Sequence, residues 1–129
     1  MIRALRLGVR VRAGDRCEYC QLHQIDSPFV TLHVEHIIPK KHGGEDDFDN
    51  LFLACGDWNL RKGSNLAGID PVTGKLIALF HPRLQNWSDH FAWKDLHILG
   101  RTAVGRTTVR VLDLNHKERL EMREAIAGG

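Results

Sequence analysis

A proline at position 39 and a glycine pair at 43 and 44, set between two apolar runs, restrict what this chain can fold into more than any other feature. Ahead of them, Phe29–Val34 is dominated by aromatic and β-branched residues, which suits an extended strand. Pro39 has no backbone N–H and its ring clashes with a preceding helical turn, so no helix runs on from that strand. The strand is therefore expected to end near Glu35. Lys40 to Asp49 is polar and holds the glycine pair, which reads as a loop with tight turns, and Leu51–Ala54 is a short apolar run able to pair back as a second strand. Asp57 suits the N-cap of a short helix over Trp58–Lys62, with Gly63 as its stop. The order obtained is strand, strand, helix.

At 129 residues the chain fits one domain spanning 1–129, with a core at about 17–63 and an extension at about 64–127. Its 43% hydrophobic and 26% charged residues exclude a disordered or membrane class. The longest apolar run, Leu76–Phe80, falls far short of the roughly 20 residues that cross a bilayer, and arginines interrupt Met1–Arg6 before a secretory signal could form. With an odd count of 3 cysteines, two of them in Cys17-Glu18-Tyr19-Cys20, this predicts metal-binding or reduced thiols and a cytoplasmic location. A net charge of +2 supplies no global field to draw in nucleic acid, so attraction must come from local clusters. Arg3, Arg6, Arg10, Arg12 and Arg16 make one such cluster, and Glu45-Asp46-Asp47 with Asp49 an acidic one.

Residues 3–13 predict an amphipathic helix with Leu5 and Val9 on one face and Arg3, Arg6 and Arg10 on another, read as a solvated surface ahead of a phosphate-binding one. Downstream, Asp70–Gly74 predicts a turn, Lys75–Phe80 a strand, and His90–Trp93 with His97–Leu99 a hairpin. Two helices close the chain, at about 102–112 and 116–126, with Thr102 and Asn115 as N-caps. There is no internal repeat, and the disposable tail is Gly128-Gly129.

The run Leu32-His33-Val34-Glu35-His36-Ile37-Ile38-Pro39, then Gly43-Gly44, Asp49-Asn50-Leu51, Ala54-Cys55 and Asn59-Leu60-Arg61-Lys62-Gly63, resembles the motif of the HNH endonuclease family in order, spacing and flanking residues. The likeness continues through Gly63–Pro71 and Leu79–Arg83 to Trp87–Phe91, as in small bacterial HNH proteins with a C-terminal extension. It implies an α+β fold: a ββα-metal core with an N-terminal helix and an extension of short strands and two helices. It also implies a DNA endonuclease. Each residue type has a chemical reason to be there. His36 is suited to be the general base, because an ordinary imidazole with a pKa of roughly 6.5 is available in neutral form near pH 7. Glu35 and Asn59 offer a carboxylate and an amide oxygen, hard ligands for one Mg2+ or Mn2+ that leave room for water and phosphate. The resemblance gives Asn50 the task of bridging the loop and orienting the base. Glu35 and His36 are adjacent and would point to opposite faces of a regular strand, so a shared site requires the strand to end or twist between them. Lys62, one helical turn from Asn59, together with Arg61, Lys40 and Lys41, is expected to contact nucleic-acid phosphate, with Arg10 and Arg12 as further candidates. His33 shares the face of Glu35 and is read as a surface residue, while His81, His90, His97 and His116 are read as structural.

Many HNH proteins carry a structural zinc on two Cys-x-x-Cys pairs. Cys17 and Cys20 match the first pair and Cys55 the next position, but Trp58 stands where the fourth cysteine would be, and an indole cannot ligate zinc. Either Cys17, Cys20 and Cys55 hold Zn2+ with another ligand, His23 being nearest in sequence, or the site is empty and Trp58 fills the space. The second is the expectation adopted. Two rivals to the nuclease reading are a nucleic-acid-binding module that does not cut and an interaction protein on a retired nuclease fold.

Overall fold

The computed structural model describes residues 1–128 of the chain. They form two compact units, Met1–Ser64 with His81–Leu84, and Asn65–Phe80 with the residues from Gln85 onward. The fold is α+β, and its strands pair as three antiparallel two-stranded sheets among the described residues. Among the described residues no helix is long and apolar enough to cross a membrane.

In the first unit, α1 (Arg3–Arg12) is followed by β1 (Leu32–His36), β2 (Leu51–Cys55) and α2 (Gly56–Lys62). The α1 face that buries Val9 lies against the hairpin, and two of its arginines fasten it there. Arg10 donates to Leu32 O at 2.5 Å, and Arg12 donates to Phe48 O at 2.7 Å and to Leu51 O. The Arg12 guanidinium also lies 3.9 Å over the Phe48 ring. β1 and β2 pair antiparallel with Glu35 opposite Phe52 and His36 opposite Leu51, and every residue of β2 is buried. The segment before β1 forms a knuckle in which the Cys17 amide donates to Leu22 O at 2.9 Å and Gln21 takes a φ of +68°. Glu18 docks this knuckle on β2 by exchanging bonds with Leu53: its amide donates to Leu53 O at 2.8 Å and its carboxylate accepts the Leu53 amide at 2.7 Å. Arg83 closes an ion pair with the same carboxylate.

α2 starts two residues earlier than the Asp57 cap predicts, with Cys55 at the N-cap position. The chain passes from strand to helix without a linker, so Asp57 falls in the first turn, where a carboxylate complements the positive end of the helix dipole.

In the second unit, β3 (Ala67–Ile69) pairs with β4 (Leu76–Ala78), and the four-residue α3 (Trp87–His90) leads into a hairpin of β5 (Phe91–Lys94) and β6 (His97–Gly100). Then follow α4 (Ala103–Leu112) and α5 (Lys117–Gly128). Thr102 caps α4 by accepting the Gly105 amide at 3.1 Å. Asn115 does not cap α5. Its amide group instead grips β6, accepting the Ile98 amide and donating to Ile98 O, both at 2.8 Å. His116 Nδ1 accepts the Arg119 amide at the start of α5 in its place.

Candidate active site and thiol cluster

β1 does not end between Glu35 and His36: both stay in register, opposite Phe52 and Leu51, so they leave the strand on different faces, and it stops at His36, near enough for the His36 charge to act on Glu35. His33, Glu35 and Ile37 alternate toward α2. A Cβ built on Gly56, at the start of α2, would lie 3.3 Å from the His33 ring. At the last residue of the same helix, Lys62 is 3% exposed and donates to Ile37 O at 3.2 Å. Asn59 is half-buried and lies on α2 between these two points, three residues from each. Lys62 is thereby turned inward, whereas Lys40, Lys41 and Arg61 are exposed.

Glu35 is half-buried, and among the described residues its carboxylate has no hydrogen-bond partner. Burial pushes its pKa above the ordinary carboxylate range, while the nearby charges of His33, His36 and Lys62 pull it back. Burial likewise lowers Lys62, and Glu35 opposes that shift. A half-buried carboxylate without a hydrogen-bond donor, with the Asn59 amide on the helix that packs against its strand, is a donor set that fits a hard divalent cation.

His36, the last residue of β1, faces the loop. Its Nε2 lies 2.7 Å from Asp46 Oδ1, and Lys40 Nζ is 3.7 Å from the same oxygen. That hydrogen bond to His36 is the chief reason the Asp46 carboxyl titrates below its usual range. The loop that carries Asp46 is closed by Asn50, which accepts the Ile38 amide at 2.9 Å and donates to Ile38 O and Glu45 O, each at 3.0 Å. Gly44 is required by this closure: a Cβ there would lie 1.7 Å from Ile38 O. Sequence reasoning left Asp46 in a solvated acidic run and missed its contact with His36. The only signal was the placement of three acids just after the glycine pair.

Cys17, Cys20 and Cys55 are buried, with their sulfurs all within 4.8 Å of one another and Cys20 Sγ 3.7 Å from Cys55 Sγ. Burial, reinforced by Cys20 and Cys55, holds the Cys17 thiol well above its ordinary pKa. His23 does not join them: its Nδ1 accepts the Ile25 amide at 3.1 Å. Trp58, wholly buried, occupies the position of the missing fourth cysteine and is the largest fully buried side chain described. The set is three thiols, one short of a closed tetrahedral zinc site.

Residues 17–65 match the HNH endonuclease family model. Over nearly its whole length the chain is also similar to Septu protein PtuB of Bacillus thuringiensis, at 25% identity over 131 residues that cover 96% of this chain. The chain spans 46% of that protein's length. No solved structure matches it.

Proposed function

We propose that this chain is a metal-dependent endonuclease that hydrolyses phosphodiester bonds of DNA. The observation that carries the reading is the Glu35 carboxylate, half-buried and without a hydrogen-bond donor, near Lys62 and on the strand against which α2, the helix of Asn59 and Lys62, packs. Burial disfavours the ionised carboxylate and the neighbouring positive charges offset only part of that, so a bound cation would favour it further. Glu35 and Asn59 would hold Mg2+ or Mn2+. Bound there, the cation supplies charge for the phosphate and for the departing oxygen. The chain's own groups do the rest. His36 accepts the proton of the attacking water, Asn50 keeps the loop closed, and the Lys62 ammonium offsets part of the Glu35 charge and fixes its position. Lys40, Lys41 and Arg61, exposed on the loop and on α2, are the phosphate contacts that hold the duplex. The three buried thiols, with Trp58 packed in place of a fourth, support the hairpin and α2 without zinc.

The test is nicking of supercoiled plasmid by the purified protein with Mg2+ or Mn2+. Cleavage by wild type that is lost in His36→Ala, with DNA binding retained, is the expected result. Binding without cleavage under every divalent metal would replace this reading with a non-cutting nucleic-acid-binding module on the same fold.

A further inference from the structure

We propose that Asp46 is the positioning residue of the His36 base, fixing the imidazole with its proton on Nε2 so that Nδ1 is the atom that takes the proton from water. This rests on the reading of His36 as the general base and goes beyond it by naming the atom and the group that selects it.

The contact is direct, 2.7 Å from His36 Nε2 to Asp46 Oδ1. An ionised carboxylate only accepts hydrogen bonds, so the nitrogen facing it must carry the hydrogen. In a neutral imidazole the other nitrogen is then the bare one. Lys40 Nζ, 3.7 Å from the same oxygen, favours the ionised carboxylate. The position of Asp46 is set by the loop: Asn50 ties Ile38, two residues past His36, to Glu45, one residue before Asp46. The base and its orienting acid are therefore clamped at both ends of one closed loop, and the close approach at Gly44 leaves no room for a side chain that would open it. A carboxylate behind the imidazole also stabilises the imidazolium formed when the proton arrives. In the step so defined, one O–H bond of water breaks, its proton goes to Nδ1, and the oxygen bonds to phosphorus as the P–O bond to the leaving strand end breaks. That leaving oxygen is protonated by solvent, and His36 returns its proton to solvent.

The experiment is long-range 1H–15N NMR of the metal-free full chain at a pH where imidazole is neutral, with the His36 signals assigned by their loss in His36→Gln. The proposal expects a pyrrole-like Nε2 and a pyridine-like Nδ1 in wild type. In Asp46→Ala, and more weakly in the near-isosteric Asp46→Asn, that preference gives way to a mixture. In the plasmid assay both variants lose about 10²-fold or more in kcat, with DNA affinity and KM unchanged, and Asp46→Glu recovers part of it. A wild-type His36 protonated on Nδ1, or a tautomer unmoved by both substitutions, overturns the proposal whether or not the protein cleaves. If the tautomer responds as expected but wild type cuts no DNA, the pairing stands and the nuclease reading fails.

Discussion

Restoring the missing cysteine tests how the first unit is held together. Trp58 is 0% exposed. An indole buries about 150–250 Å², which at about 25 cal/mol per Å² is worth about 4–6 kcal/mol. A cysteine recovers about 1 kcal/mol of that as a small apolar side chain. Trp58→Cys in the presence of chelator should therefore cost about 3–5 kcal/mol, in line with the range for emptying a large core site. For a chain of this length that lowers Tm by roughly 10–20 °C. The same substitution adds a fourth thiol beside Cys17, Cys20 and Cys55, whose sulfurs already lie within 4.8 Å of one another. Zinc in excess of its Kd by about 1,000-fold would return about 4 kcal/mol. Thermal unfolding by circular dichroism, run with EDTA and with zinc, together with protein-bound zinc by atomic absorption, gives all the terms. The variant should melt low in EDTA, recover most of its Tm in zinc and hold one more zinc ion per chain than wild type, whose Tm should change far less between the two. A variant as stable as wild type in EDTA would refute the claim that the indole does the stapling. A wild type that carries zinc on its thiols, or that loses as much Tm in chelator as the variant does, would refute the claim that three thiols and Trp58 manage without metal.

Gly44→Ala places a methyl 1.7 Å from Ile38 O and must open the loop that presents Asp46; plasmid nicking should fall at least 10-fold, with α1 and the hairpin intact by circular dichroism, and unchanged activity would contradict the role of loop closure. Replacing both exposed lysines, Lys40→Ala with Lys41→Ala, should flatten the plot of log binding constant against log salt by about 1–2. Lys62→Ala should leave that slope unchanged while costing about 1–3 kcal/mol of stability through the unpaired Ile37 carbonyl. In the second unit, Arg106 donates twice to Asp70, at 3.0 and 2.8 Å, and holds its carboxyl far below the ordinary carboxylate range. A depressed folded-state pKa stabilises above the unfolded value of about 3.9 and is lost as pH falls below it. Wild type should therefore lose stability steeply on acidification below about pH 4, and Asp70→Asn, less stable at pH 7, should show a shallower acid limb; parallel curves would remove Asp70 as the cause.

What could be read in the sequence was what local chemistry dictates. Pro39, the glycine pair and Gly63 punctuate the chain so strongly that strand, loop, strand and helix follow in order. What could not be read depends on where the chain returns to itself. Glu45, Asp46 and Asp47 are alike as a sequence, and only the clamp by Asn50 decides which of them meets His36. Asn115 carries an N-cap signature, yet β6 runs close enough to claim its amide, an interaction across a gap of 17 residues. β3 has three residues, and Gly68 within it marks a close approach, since a Cβ there would lie 2.5 Å from Val111 of α4. Lys62 was misleading in a more instructive way: the helical spacing that places it beside Asn59 also turns it inward, toward Glu35 and Ile37.

The account depends on Glu35 and Asn59 holding one hard cation, and titration of the metal-free protein with Mn2+, followed by electron paramagnetic resonance, measures that without requiring cleavage. One site per chain in wild type, kept in His36→Ala and abolished in Glu35→Gln and in Asn59→Leu, is the predicted outcome. Mn2+ bound equally well by all four proteins, or by none of them, would contradict it.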